Sequence, residues 1–117
     1  SSPLPTQKLW PTYAATLTRF IAEARAAHVP FTLVIMPDRD ALNAPAKFAA
    51  SLQFARKVRR LAAEQGVVLH DAGEHFRAMA PRARTPLFLA EPPGDIHLSP
   101  AGHAELGRWL APRLVQP

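Results

Sequence analysis

Cysteine is absent from the 117 residues, which excludes a disulfide framework and any thiolate metal site while leaving the redox compartment open. No apolar run reaches the roughly 18 residues that a membrane span requires, so no membrane span is expected in this chain. The N-terminus, rich in serine and proline, lacks the charged-then-apolar layout of a signal peptide. Any export signal or anchor is therefore expected outside these residues. There is no internal repeat, and apart from the prolines no low-complexity tract. What is present is ordinary globular material, 48% hydrophobic and 20% charged, too apolar to stay disordered. The length suits one small domain with a single core.

The net charge of +5 raises the question of nucleic acid, because Arg56, Lys57, Arg59 and Arg60 crowd together. They sit, however, in a helical pattern whose apolar positions are Phe48, Leu52, Ala55, Val58 and Ala62, which turns the basic groups toward solvent. No aromatic residue interleaves with them in the sequence to stack bases. No nucleic-acid partner is expected.

The period of the apolar pattern switches several times along the chain. Residues 1–10 read as a proline-rich lead, and residues 11–117 as the domain. Pro11 suits the first turn of a helix with Tyr13, Leu17, Phe20, Ile21 and Ala24 on one face, ending before Pro30. "FTLVIMP" then reads as a strand buried on both faces, as in a parallel sheet. Asp38, Arg39 and Asp40 open a loop. A second helix is expected from about Pro45 to Gln65, capped by Gly66. "VVLHDAG" reads as another short buried strand, "EHFRAMA" as a short helix, and "RTPLFLAEPPGD" as a brief strand and loop. The last helix should start at Ser99 as N-cap and Pro100 in the first turn, burying Leu106, Trp109, Leu110 and Leu114. This alternation predicts an α/β fold with a small parallel sheet. So few strands leave the sheet to be completed elsewhere, and its open edge predicts self-association or pairing with a further segment.

In such sheets ligands bind beyond the carboxyl ends of the strands. Three loops qualify: Asp38 to Asp40, His70 with Asp71, and Asp95 with His97. Polar residues at the first two are accounted for as caps or turns. In the third, "GDIHLSPAGH", side chains two apart in an extended segment point to the same side, so Asp95 and His97 can project together. A carboxylate beside an imidazole fixes its tautomer and stabilises the imidazolium formed when it takes a proton. The spacing also arises by accident, which keeps an ordinary helix start open as the alternative. Asp95, His97 and His103 form no convincing metal set, since a helix start separates His103 from the pair and no fourth ligand has suitable spacing. No metal or other cofactor is expected. His103 is expected to pack or hydrogen-bond near the helix N-terminus, and Trp109 to belong to the core; Trp10 is left open between packing and sugar binding.

"GDIHLSPAGHAELGRWLAPRL" resembles the last block of the SGNH (GDSL-like) hydrolase and acyltransferase superfamily, in which an Asp and a His precede a "PxGH" turn and a terminal amphipathic helix. The order of "VPFTLVIMP", a helix, "GVVLHDAGEHF" and the Asp/His block is similar to the C-terminal half of such proteins. The resemblance implies a flavodoxin-like three-layer α/β/α sandwich, here a partial SGNH domain, with His97 as catalytic base and Asp95 as its orienting partner. The Asp-x-His spacing is more like the polysaccharide O-acetylation branch than the commoner Asp-x-x-His, although Leu98 stands where that branch has an aromatic.

The family's Gly-Asp-Ser nucleophile segment, and the Gly and Asn of its oxyanion hole, have no counterpart here. Serine occurs only at Ser1, Ser2, Ser51 and Ser99; Ser51 reads as mid-helix and Ser99 as an N-cap. The resemblance thus implies part of an ester hydrolase or O-acyltransferase whose serine lies on another segment of the parent protein. Its substrates would be acyl esters, cell-envelope glycans among them, in the periplasm or cell envelope. The alternative is a non-catalytic binding or scaffolding domain that retains the fold.

Overall fold

Pro5, not Pro11, opens the first helix in the computed structural model, which describes residues 5–90 and 97–114. Helix α1 (Pro5–Ala26) therefore takes in part of the stretch read as a lead, and Pro11 lies inside it. An interior proline removes one backbone hydrogen bond and costs about 3 kcal/mol. The turn that carries Trp10 is held by packing instead: its indole meets the rings of Phe54 at 5.6 Å and Tyr13 at 5.8 Å. Propensity alone placed the helix start too late because that tertiary contact is invisible in the sequence.

The chain divides into two compact units, Ser1–Val34 with Ala46–His70, and Ile35–Pro45 with Asp71–Pro117. In the first, α1 packs on α3 (Ala49–Gln65). Leu17 and Ile21 of α1, and Val58 and Ala62 of α3, are buried, whereas Tyr13 and Phe20 remain exposed. The predicted face of α1 is thus only half used. Lys57 lies 5.7 Å above the Trp10 ring, so this member of the basic cluster covers an aromatic surface rather than standing in solvent. Gly66 ends α3 at φ +67° with its N–H on Ala62 and Ala63, as its sequence position predicts. At the end of α1 the left-handed position is filled by His28, at φ 57°.

Strand β1 (Thr32–Ile35) pairs with β2 (Val68–Asp71) in a two-stranded parallel sheet. The α/β reading with a small parallel sheet holds. Burial on both faces does not, because Thr32, Met36 and Val68 are exposed and the rest of each strand is half-buried. Among the described residues each strand has a single neighbour, so neither is enclosed as in a wide parallel sheet.

The second unit carries the short elements. The expected loop after β1 is in fact helix α2 (Arg39–Asn43), and the following helix starts at Ala49, past a turn over residues 45–48. Helix α4 (Ala72–Arg77) begins at the end of β2, slightly ahead of its predicted position. Helix α5 (Pro81–Arg84) and a 3-10 turn (Thr85–Leu87) then lead to Phe88, which makes an isolated antiparallel bridge with Leu98. The terminal helix α6 (Pro100–Leu114) buries Leu106, half-buries Trp109 and Leu110, and leaves Leu114 exposed. Ala41, Leu42, Ala72, Phe76, Leu87, Phe88 and Leu98 complete this core, with Phe76 and Phe88 in edge contact at 5.8 Å. No helix among the described residues is long and apolar enough to cross a membrane.

Candidate active site

Of the three polar loops, two are helix caps. The Asp38 carboxylate accepts from the backbone N–H groups of Asp40 at 2.9 Å and Ala41 at 3.2 Å, and Asp71 accepts from Glu74 at 3.2 Å. Each satisfies donors that a helix start leaves open. His70 is half-buried at the end of β2.

The third loop places His97 differently. Its carbonyl accepts from the Leu89 N–H at 3.0 Å, next to the Phe88–Leu98 bridge, and Leu98 is buried. Because side chains alternate along an extended segment, a buried Leu98 sends the neighbouring imidazole outward, and His97 is exposed. Asp95 lies outside the described residues, as does Ile96.

Two residues on, the chain is locked. The Ser99 N–H donates to the Leu87 carbonyl at 2.9 Å, its Oγ donates to Pro86 O at 2.7 Å, and the same Oγ accepts from the Gly102 N–H at 3.1 Å. Ser99 is therefore the predicted N-cap, and its hydroxyl is engaged on both sides rather than available as a nucleophile. Gly102 explains the small residue of "PAGH": a Cβ there would lie 1.9 Å from the Leu87 carbonyl oxygen. Only a glycine lets the first turn of α6 approach that backbone. The imidazole at position 97 is thus carried by a segment fixed through backbone contacts at Leu89, Leu87 and Pro86. Ser51, read as mid-helix, sits in the first turn of α3, where it is exposed. His103 is exposed, and its N–H bonds the Ser99 carbonyl at 2.9 Å.

A carboxylate and an imidazole meet elsewhere, at a place no sequence motif marks. His75 Nε2 lies 2.6 Å from Glu105 Oε2, joining α4 to α6 across thirty positions. The His75 ring stacks on Trp109 at 5.1 Å, and the Arg113 guanidinium lies over that indole, 4.4 Å from its centroid. Glu105 also accepts from Arg108 at 3.0 and 2.5 Å. The hydrogen bonds from Arg108 and then His75 hold its carboxyl below the ordinary value, and Glu105 in turn raises Arg108. Trp109 is thus engaged in packing, though half-buried rather than in the core as expected, and Trp10 packs as well. The only signal available in the sequence was the spacing of Glu105, Arg108 and Trp109 on one helix face; nothing there points to His75.

The sequence model of the GDSL-like lipase/acylhydrolase family matches residues 5–105. The chain belongs to this family. The match begins at the residue that opens α1 and takes in both the His97 segment and the Ser99 to Gly102 turn. No curated protein and no solved structure matches the chain. Within an acylhydrolase domain, an exposed histidine on a backbone-locked rim has the accessibility that proton transfer to a bound ester requires.

Proposed function

We propose that this chain is the C-terminal part of an SGNH-type domain that cleaves or transfers acyl esters, with His97 as general base and Asp95 as the residue that orients it. The observation that carries the reading is the exposed His97, held by the Leu89 contact opposite a buried Leu98, inside the family match. A serine on another segment of the parent attacks the acyl carbonyl while His97 takes its proton. The tetrahedral intermediate collapses to an acyl-serine as His97 returns the proton to the leaving alcohol. Water, or the hydroxyl of a sugar acceptor, then completes hydrolysis or transfer by the same proton path. Asp95 stands two positions earlier in the sequence, and the part assigned to its carboxylate is to fix the tautomer of His97 and favour the imidazolium.

The Asp-x-His spacing supports glycan-borne acyl groups as substrates and the cell envelope or periplasm as the location. The two-stranded sheet of the described residues, with Thr32 and Val68 exposed, supports pairing with a further segment of the parent or with a second copy. In the full-length protein, His97→Ala should lower hydrolysis of p-nitrophenyl acetate by about 10²- to 10⁴-fold while leaving the far-UV spectrum unchanged. Full activity in that variant would remove the enzymatic reading and leave a binding or scaffolding domain.

A further inference from the structure

We infer that Arg39 is a positioning residue for His97, acting through the backbone of Leu89. Arg39 Nη1 donates to the Leu89 carbonyl at 2.9 Å, and the Leu89 N–H donates to the His97 carbonyl at 3.0 Å. One residue thus receives the guanidinium on one side and fixes the histidine backbone on the other. The inference rests on the reading of His97 as the base.

Three features make this link more than incidental packing. The pairing beside His97 is an isolated bridge between Phe88 and Leu98, and an isolated pair of such short segments has little stability of its own. Its outer anchor is a charged donor on a carbonyl, which is stronger than a neutral hydrogen bond. The Arg39 side chain is also largely buried, 19% exposed, with its Nε 3.3 Å from Asp40 Oδ1, so the guanidinium is held in place. One turn along α2, Asn43 Oδ1 accepts from Arg84 Nη2 at 3.4 Å, while the rest of Arg84 is buried. Helix α2 therefore grips the approach to the His97 segment at two points, and Asp38 secures its own first turn. The polar stretch after β1 works as a clasp on the segment that carries His97.

The test compares Arg39→Gln and Arg39→Lys in the full-length protein, with p-nitrophenyl acetate as substrate and active sites counted by the acyl-enzyme burst. R39Q should lower kcat per active site by about 10- to 100-fold with KM within about twofold, because displacing a reacting group by an ångström has that scale of effect. R39K, which keeps a cationic donor for Leu89, should recover most of the loss. In wild type the ¹⁵N shifts of the His97 ring should report a single tautomer; in R39Q they should average between tautomers, with faster exchange of the Leu89 amide. A folded R39Q with faster Leu89 exchange but unchanged kcat and ring shifts would overturn the inference alone. Should R39Q not fold, a folded R39K with wild-type Leu89 exchange but averaged ring shifts would overturn it as well. A fully active His97→Ala would refute the base itself, and this inference with it.

Discussion

His75 and His97 belong to the same compact unit, yet they are held in opposite ways. His75 is gripped by its side chain: Glu105 on one nitrogen, the Trp109 face against the ring, and only 22% of the side chain exposed. His97 is gripped by its backbone, through Leu89, while its side chain is exposed. At His75 an imidazole and a carboxylate serve as cement between two helices; at His97 it is the backbone contact with Leu89 that fixes the segment. A ring packed between Glu105 and Trp109 ties two helices together; the role proposed for His97 calls instead for a ring at the surface on a backbone that is itself fixed.

The sharpest way to break this contrast is to delete each ring in turn in the full-length protein. His97→Ala should cost about 10²- to 10⁴-fold in ester hydrolysis with little change in stability. His75→Ala should do the reverse, keeping kcat while lowering the urea midpoint by the equivalent of about 1 kcal/mol.

Gly102→Ala attacks the backbone grip itself. With a Cβ 1.9 Å from the Leu87 oxygen, α6 must move off that carbonyl. The expected loss is about 3 kcal/mol by urea unfolding, together with reduced activity.

A smaller effect tests the side-chain grip by pH. Glu105 has its folded-state value depressed below the ordinary 4.5, by Arg108 first and His75 second. Its contribution is therefore fully present above the unfolded value and is lost as pH falls through the folded one. Glu105→Gln should lower stability at neutral pH by about 1 kcal/mol and should lose less of what remains than wild type does between about pH 6 and pH 2, as read from urea midpoints. An unchanged acid profile would mean that the pair does not cement α4 to α6.

The smallest effect concerns a histidine at a helix end, whose N–H donates to the Arg25 carbonyl at 3.1 Å. His28 stands at φ 57° after α1, a conformation that costs a side-chain-bearing residue about 1 kcal/mol. His28→Gly should raise the thermal midpoint slightly, by the equivalent of about 0.5 kcal/mol, without touching activity.

The features legible in the sequence were those with local causes. Ser99 and Pro100 announce α6 because a cap is a short-range bargain between a hydroxyl and nearby N–H groups, and Gly66 announces the end of α3 for a similar reason. Asp38 and Asp71 could be seen as caps, although only the structure shows that Asp38 starts a helix where a loop was expected. Long-range causes stayed hidden. Trp10 keeps α1 helical ahead of Pro11 through a contact with Phe54, and neither ring predicts the other. The same holds for Arg39 reaching Leu89 and His75 reaching Glu105. The strand interiors were read as fully buried because an apolar run reports an appetite for burial, not how many neighbours are present to satisfy it. The alternation expected of Asp95, Ile96 and His97 falls mostly outside the described residues; within them, an exposed His97 beside a buried Leu98 follows the same period of two.

The missing side chain at Gly102 acts as a depth stop. How far α6 sinks onto the Leu87 peptide sets where the segment ahead of it lies, so the atom left out at one position governs the placement of His97 five residues away. Any redesign of the His97 segment should treat that depth as an adjustable dimension, tuned by what stands opposite the glycine rather than by the histidine.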